Sequence, residues 1–117
     1  NEHGDILSDG AAAALGSMGL MCSSAINPDT GTAMFESGAG TAPTLAGQDK
    51  ANPLGRILTA AMMIRHIGAM NGADAIEKAV NKVLKDGWRT GDIASSSDSS
   101  KMILGTSDMG KKILSYL

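Results

Sequence analysis

The chain contains few aromatic residues and no block of like charge. Aromatic residues make up 3% of its 117 residues, and 10 lysines and arginines oppose 12 aspartates and glutamates, for a net charge of -2. A surface that stacks bases or follows phosphates needs more of both residue types, so we expect no nucleic-acid partner. Every apolar run falls short of the roughly 18 residues that a membrane span needs, and no signal peptide is visible, so we expect no membrane partner.

Cysteine is nearly absent too. The single cysteine, Cys22, excludes an internal disulfide framework and suits a reducing compartment. This predicts the cytoplasm, with the mitochondrial matrix or a plastid as alternatives. No histidine, lysine or arginine lies near Cys22 in the sequence, so we expect a small buried thiol and not a reactive one. The chain starts at Asn1 and not at methionine, which indicates processing or a segment of a longer protein.

The hydrophobic pattern predicts helices that alternate with short strands, which is an α/β chain. A first helix is expected from about Asp5 to Leu15. Two strands, from Leu20 to Ile26 and from Thr32 to Glu36, would pair across a tight turn at 27–31. The expected buried stripe of the first helix consists of Ile6, Leu7, Ala11, Ala14 and Leu15.

Three further helices follow from terminal signals and periodicity. Asn52 is a good N-cap and Pro53 suits a first helical position, so a strong helix should run from there to Gly68. The next helix is expected over about 73–85. Thr106 is expected to cap the last one.

Among the charged residues that stand four positions apart in the predicted helices, two pairs bear on the interpretation. Asp74 precedes Lys78 in the favourable order, on a face that we expect to be solvated. Asp5 and Asp9 are a pair of like charge on one helix face. Either the positive end of the helix dipole stabilises these acids, or a divalent cation such as Mg²⁺ or Mn²⁺ lies between their hard oxygen ligands. The spacing by itself leaves both interpretations open.

Residues 37–53 have the most unusual composition, because glycines, small residues and proline follow a predicted strand. Such a loop lets the backbone approach a ligand closely and can direct N–H groups at an anion. It matches neither GxGxxG nor GxxxxGKS/T, so neither standard phosphate motif applies. A ligand-contacting loop and a flexible surface loop both remain open on composition alone.

Six short motifs occur in order along the chain. They are Gly-Asp-Ile-Leu-Ser-Asp at 4–9, Gly-Ser-Met-Gly-Leu at 16–20, Gly-Thr-Ala-Pro-x-x-Ala-Gly at 40–47, Ala-Asn-Pro at 51–53, Arg-Thr-Gly-Asp-Ile at 89–93 and Thr-Ser-Asp-Met-Gly at 106–110. Each is weak alone, but the ordered set resembles the C-terminal third of the β-decarboxylating dehydrogenases. That family includes 3-isopropylmalate, isocitrate, homoisocitrate and tartrate dehydrogenases.

The resemblance covers essentially the whole chain and implies a fold. The chain would be a fragment of the isocitrate/isopropylmalate dehydrogenase-like α/β fold, with three to four helices and short strands. Residues 1–24 would form a metal-site helix and hinge segment, and residues 25–117 the C-terminal part of the cofactor-binding domain. The resemblance also implies a homodimer and an upstream remainder of the same enzyme as partners.

The chemistry that the resemblance implies is oxidative decarboxylation of a 2-hydroxy acid. Mg²⁺ or Mn²⁺ would chelate the substrate, with Asp5 and Asp9 at the positions of two metal ligands. A nicotinamide cofactor would oxidise the hydroxyl group, and the metal would then stabilise the enolate left by loss of CO₂.

The resemblance also assigns cofactor contacts. Glu36 would border the nicotinamide side of the pocket, the loop at 38–47 would wrap the adenosine, Asn52 would reach the adenine, and Asp92 would lie near it. The complete predicted set of cofactor-binding residues is Glu36, Gly40, Thr41, Ala42, Thr44, Leu45, Asn52 and Asp92.

Within the family the pattern favours 3-isopropylmalate dehydrogenase, which converts 3-isopropylmalate to 2-oxoisocaproate. Ala39 stands where many members have histidine, and some isopropylmalate enzymes share a small residue there. The run at 46–53 resembles isocitrate dehydrogenases as well, so that substrate class stays an alternative. A non-catalytic subunit of the same fold is another. Thr44 and Leu45 offer no charge for a 2′-phosphate, which favours NAD over NADP.

The family's substrate arginines and its lysine and tyrosine acid/base pair belong upstream of this segment. The only tyrosine here, Tyr116, is next to the C-terminus. We therefore assign no catalytic residue within the chain and expect the isolated segment not to turn over substrate.

Overall fold

The computed structural model describes residues 2–117, with side chains described from Ile6 onward. Within residues 2–117 the helices are α1 (Glu2–Leu15), α2 (Leu54–His66), α3 (Met70–Lys85) and α4 (Thr106–Leu114). The strands of the same range are β1 (Cys22–Ile26), β2 (Ala33–Ser37), β3 (Arg89–Thr90) and β4 (Ile103–Leu104), with 3₁₀ turns at Met18–Leu20, Pro43–Leu45 and Ser100–Met102. The predicted α/β class, with four helices and short strands, is confirmed within these residues.

The predicted hairpin forms, displaced by one or two residues. Strands β1 and β2 pair antiparallel, with Cys22 opposite Ser37 and Ile26 opposite Ala33. The turn is fixed locally, because Asn27 Oδ1 accepts the backbone N–H groups of Asp29 and Thr30 at 2.9 and 3.2 Å. The turn is thus set by a side chain near in sequence, which is why the pattern predicted the hairpin.

A second, parallel pair of strands was not predicted. Arg89 pairs with Ile103 and Thr90 with Leu104. Two residues per strand are too few to show a period of two, so composition carries no signal for them. The pair brings the segment after α3 beside the start of α4.

The core lies where α2, α3 and α4 meet. Leu54, Val83 and Met109 are fully buried there, one from each helix. Arg89 closes the end of α3, because its Nη1 donates to the carbonyl oxygens of Leu84 and Trp88 at 2.7 and 2.9 Å. This three-helix core is the rigid support for the loops that follow.

The expected buried stripe of α1 is wrong for this chain. Ile6, Leu7 and Leu15 are 67%, 75% and 64% exposed, whereas Ala12 is 1% exposed. The described part of α1 contacts the 3₁₀ turn at Met18–Leu20, and that turn covers one alanine-sized patch. The periodicity gave the helix correctly, but it did not show which other surface would cover the apolar side chains.

Two side-chain predictions are also wrong. Cys22 is exposed and not buried, because every residue of β1 is exposed in this chain.

Asp74 does not pair with Lys78. Its carboxylate lies 2.9 Å from Arg65 on α2, and Glu77 lies 2.8 Å from the same guanidinium. The fork of an arginine on a neighbouring helix offers two carboxylates better geometry than a lysine one turn away.

No helix within residues 2–117 is long and apolar enough to cross a membrane.

Replacing Leu54 by alanine should lower the free energy of unfolding by about 2–5 kcal/mol, because the side chain is fully buried and would leave a cavity. Urea unfolding would measure the loss. Leu114 on α4 is 69% exposed and provides a matched control, so Leu114→Ala should change the free energy by no more than about 0.5 kcal/mol. Equal losses in both variants would contradict this assignment of the core.

Candidate functional site

A cleft of about 530 Å³ opens between the glycine-rich loop (residues 37–53), the turn after α1 and the start of α2. We call it the loop cleft. It brings together predicted cofactor residues that are far apart in sequence: Gly40, Thr41, Ala42, Leu45, Asn52 and Asp92. Its size is in the range of small-molecule sites, and most of the residues that line it have small side chains or none.

Asp92 joins three separate segments at one end of the loop cleft. Its Oδ2 accepts hydrogen bonds from Ser17 Oγ and from Asn52 Nδ2, the latter at 2.9 Å. Its Oδ1 accepts from Thr90 Oγ1 at 2.6 Å. Burial raises the pKa of the Asp92 carboxyl, but the three hydrogen bonds together outweigh this and hold the pKa below its ordinary value. The group is therefore an ionised, fixed acceptor at neutral pH.

Asn52 has a double role at the same point. Its Oδ1 accepts the N–H of Leu54 at 2.9 Å while its Nδ2 donates to Asp92. The helix itself starts at Leu54 with Pro53 in the capping position, one residue later than predicted. Asn52 still satisfies a free N–H at the start of α2, as an N-cap residue does. The amide plane is thereby fixed at the edge of the cleft.

Two glycines make the close approach possible. A Cβ atom on Gly19 would lie 2.6 Å from Asn52 Cβ, and one on Gly55 would lie 2.7 Å from the carbonyl oxygen of Met21. Real Cβ atoms do not come so near other atoms. The turn after α1 can therefore rest on the start of α2 only because both positions lack a side chain.

The C-terminal part of the glycine-rich loop is also attached to α4. Asp49 Oδ1 accepts from Ser107 N at 2.9 Å and from Ser107 Oγ at 2.7 Å. The expected cap, Thr106, makes no such bond within its own helix. Its hydroxyl donates to the carbonyl oxygen of Ala51 at 2.5 Å, and Gly105 occupies the N-cap position. The prediction of a Thr106 cap is therefore wrong, because a carboxylate from a distant loop takes that place.

A second cleft, of about 510 Å³, adjoins the first. We call it the acidic cleft, since Asp9 of α1 and Glu36 of β2 both line it. Gly40 lines both clefts, so the two spaces share a wall. Asp5, the other predicted metal ligand, has a side chain outside the described residues.

The donors in the acidic cleft fit a hard divalent cation only in part. Carboxylate oxygens such as those of Asp9 are the ligands that Mg²⁺ and Mn²⁺ prefer. Among side chains 6–117, no group of three or more histidine, cysteine, aspartate or glutamate residues comes together as a metal site. The described residues of the acidic cleft include two carboxylates, Asp9 and Glu36, and the metal role of Asp9 stays a prediction.

Comparison with known proteins decides the family. A sequence model described as isocitrate/isopropylmalate dehydrogenase matches residues 1–113. The chain belongs to this isocitrate/isopropylmalate dehydrogenase family.

Curated family members match over the full chain. A 3-isopropylmalate dehydrogenase of Pectobacterium atrosepticum is 45% identical over 118 residues, covering 100% of this chain and 31% of that protein. A 3-isopropylmalate dehydrogenase of Synechocystis sp. is 48% identical over 118 residues, covering 100% of this chain and 32% of that protein.

Solved structures show the same fold. A crystal structure of isocitrate dehydrogenase from Methylococcus capsulatus matches with a TM-score of 0.85 at 40% identity, covering 97% of this chain and 32% of that one. A Thermus thermophilus protein matches with a TM-score of 0.88 at 33% identity, covering 100% of this chain and 23% of that one. The chain spans about a third of the length of the curated relatives that it matches.

The remaining predicted cofactor residues of this family member fall outside the loop cleft. Glu36 lies in the acidic cleft. Thr44 is not among the residues that line the loop cleft, and its carbonyl oxygen accepts from Gln48 Nε2 at 2.6 Å. The predicted boundary near residue 24 and the individual cofactor contacts stay predictions.

Sequence reasoning missed Ser17, Thr90 and Asp49 as residues that hold the cleft together. Ser17 and Thr90 stand in two of the motifs that led to the family, Gly-Ser-Met-Gly-Leu and Arg-Thr-Gly-Asp-Ile. The motifs mark these positions in the sequence, but only the fold shows that both hydroxyl groups donate hydrogen bonds to the Asp92 carboxylate.

Acid should weaken the fold in part through Asp92. Because its pKa is lowered in the folded chain, the carboxylate stabilises the fold above the unfolded-state pKa of about 4, and this contribution is lost as pH falls through the folded-state pKa. Thermal unfolding of wild type and Asp92→Asn between pH 7 and pH 3 would measure it. The variant should be less stable at pH 7 and should lose less stability on acidification. Parallel pH curves for the two proteins would count against this role.

Proposed function

We propose that this chain is the C-terminal part of a metal-dependent enzyme that oxidises and decarboxylates 3-isopropylmalate to 2-oxoisocaproate with NAD. The observation that carries the proposal is the shared wall at Gly40, which places an acidic cleft beside a cleft of nucleotide size. The names of relatives that are 45–48% identical over the whole chain support the choice of substrate. The activity belongs to the longer protein that carries this segment.

The proposed reaction has two balanced steps. Hydride leaves C2 of the hydroxy acid for the nicotinamide ring, and the hydroxyl proton is released to a base, so a ketone forms. The carboxylate on C3 then leaves as CO₂, and the resulting enolate takes up a proton at C3. A bound divalent cation would supply charge stabilisation for the ketone and enolate oxygens.

Asp9 is the proposed metal ligand among the described side chains, and Asp5 would stand one helical turn before it. The position of Asp9 in the acidic cleft supports this, since Glu36 lines the same space and would border the nicotinamide. Two carboxylates facing one cleft repel each other, and a bound cation would remove that repulsion.

The loop cleft is the proposed site for the adenosine half of NAD. Asn52 and Asp92 offer fixed polar groups at one end, and Leu45 offers an apolar surface. Thr44 and Leu45 carry no charge that would select a 2′-phosphate, which supports NAD over NADP.

The substrate arginines and the acid/base pair are proposed to lie in the upstream part of the enzyme. The apolar side chains exposed on α1, including Ile6 and Leu7, support a covering surface from that part or from a second subunit of a homodimer. On this proposal residues 1–24 form the hinge segment and residues 25–117 belong to the cofactor-binding domain.

Isocitrate is the second candidate substrate, because a solved isocitrate dehydrogenase shares the fold at 40% identity. A substrate screen decides between the two. The full-length protein with Mn²⁺ and NAD should oxidise 3-isopropylmalate with a higher kcat/KM than isocitrate, and NADP should be the poorer cofactor. Absorbance of the reduced nicotinamide would follow turnover. Higher activity with isocitrate would replace the proposed substrate, and no activity with either would favour a non-catalytic subunit.

Replacing Asp9 by asparagine should weaken Mn²⁺ binding by at least about tenfold, since changes even to groups that support a metal ligand cost this much. Metal titration of the full-length protein would measure the dissociation constant. Asp29 is an exposed aspartate in the hairpin turn and provides a matched control. Asp29→Asn should bind Mn²⁺ as the wild type does. Unchanged affinity in Asp9→Asn would remove Asp9 from the metal site.

A further inference from the structure

The glycine-rich loop is held in a strained shape without burial. Every residue from 41 to 50 is exposed, so burial contributes little to holding the loop. Among the described residues, Ala42 and Asp49 are the non-glycine residues with positive φ, at 38° and 53°. Left-handed backbone at residues other than glycine persists only where surrounding contacts determine it. Some attachment outside the loop must therefore hold it in place.

For residues 41–51 that attachment runs to one place in the fold, whereas Asn52, which follows them, is bound to Asp92. Bonds such as Leu45 N to Ala42 O at 2.9 Å and Gln48 N to Leu45 O at 3.1 Å stay inside the loop. Within the part of the chain that the structure describes, the hydrogen bonds that leave residues 41–51 end on Thr106 and Ser107. The loop is thus tied to the first turn of α4.

Asp49 makes most of this connection. Its side chain accepts the two bonds from Ser107, and its carbonyl oxygen accepts from Thr106 N at 3.0 Å. The hydrogen bonds from the Ser107 hydroxyl and backbone hold the pKa of the Asp49 carboxyl below its ordinary value, so the group is ionised at neutral pH. A carboxylate at this end of a helix satisfies free N–H groups and faces the positive end of the dipole.

The helix is a firm support for the loop. Met109 and Ile113 of α4 are 0% and 3% exposed in the three-helix core. Gly105 allows the close approach, because a Cβ atom there would lie 2.6 Å from the carbonyl oxygen of Asp49 and would also collide with its carboxylate. A continuous series of contacts therefore leads from the core through α4 and Asp49 to the wall of the loop cleft.

We propose that Asp49 is a positioning residue for the dinucleotide, which acts by fixing the glycine-rich loop to α4 in the shape that forms the adenosine side of the cleft. This inference rests on the proposed function, because it needs a dinucleotide in the loop cleft. Asp49 lines the loop cleft itself, but its Oδ1 is taken up by the two bonds from Ser107, so its proposed action is through the position of the loop.

The test compares three variants of the full-length enzyme. Asp49→Ala should raise the KM for NAD about five- to tenfold, the effect of losing charge-assisted hydrogen bonds. The KM for the hydroxy acid and kcat at saturating NAD should stay within about twofold. Asp49→Asn keeps an oxygen acceptor for Ser107 and should recover most of the NAD affinity. Asp108→Ala is the matched control, because it removes a carboxylate from the same turn of α4. Among side chains 6–117, that carboxylate pairs with Lys111 and not with the loop.

The outcomes separate the inference from the function that it rests on. If the wild type turns over substrate and Asp49→Ala has the same KM for NAD as Asp108→Ala, the inference about Asp49 is wrong and the proposed function stands. If Asp49→Ala lowers kcat and both affinities together with the thermal midpoint, Asp49 serves general stability and the inference also fails.

If the wild type shows no dehydrogenase activity, the proposed function fails. Hydrogen exchange still tests whether Asp49 holds the glycine-rich loop on α4. The amides of Leu45, Ala46 and Gln48 should exchange faster in Asp49→Ala than in Asp108→Ala. Equal exchange rates in these two variants would show that Asp49 does not hold the loop in place.

Discussion

The geometry of the loop cleft depends on the hydrogen bonds that the Asp92 carboxylate accepts. This carboxylate accepts hydrogen bonds from Ser17 and Asn52, which stand 75 and 40 residues before it, and from Thr90 beside it. An ionised acceptor with several neutral donors has a favourable energy only when all the donors converge on it. The contact therefore fixes the turn after α1, the start of α2 and the segment after β3 against one another, and the loop cleft lies between them.

Asp49 makes a second connection of the kind that Asp92 makes. Each carboxylate is held ionised by hydroxyl and N–H donors, and each joins a loop to an element of the helical core. The glycine-rich loop can then consist of small, exposed residues, because contacts at Asp49 and Asn52 hold it. Small residues in its wall leave room for close approach of the backbone to a ligand.

Sequence reasoning predicted the elements whose signals are local. The hairpin followed from Asn27 and its turn, and the start of α2 from Asn52 and Pro53, each within about a residue. It did not predict the short strands β3 and β4, the exposed side of α1, the exposure of Cys22 or the pairing of Asp74 with Arg65. These features depend on what lies opposite a residue in space, and periodicity describes only the face on which a residue stands.

The sequence by itself determined the family, since ordered motifs of glycine, proline, asparagine and aspartate record the turns and close contacts that the fold requires at those positions. The tertiary structure decided which residues meet. Asp9 and Glu36 line one cleft, and Ser17 and Thr90 both donate hydrogen bonds to Asp92. Asp49, and not the predicted Thr106, caps α4. The physical reason is range: the turn at Asn27 and the Asn52 bond to Leu54 are settled by neighbours in the chain, whereas a carboxylate such as Asp49 or Asp92 binds whichever donors the fold brings within about 3 Å.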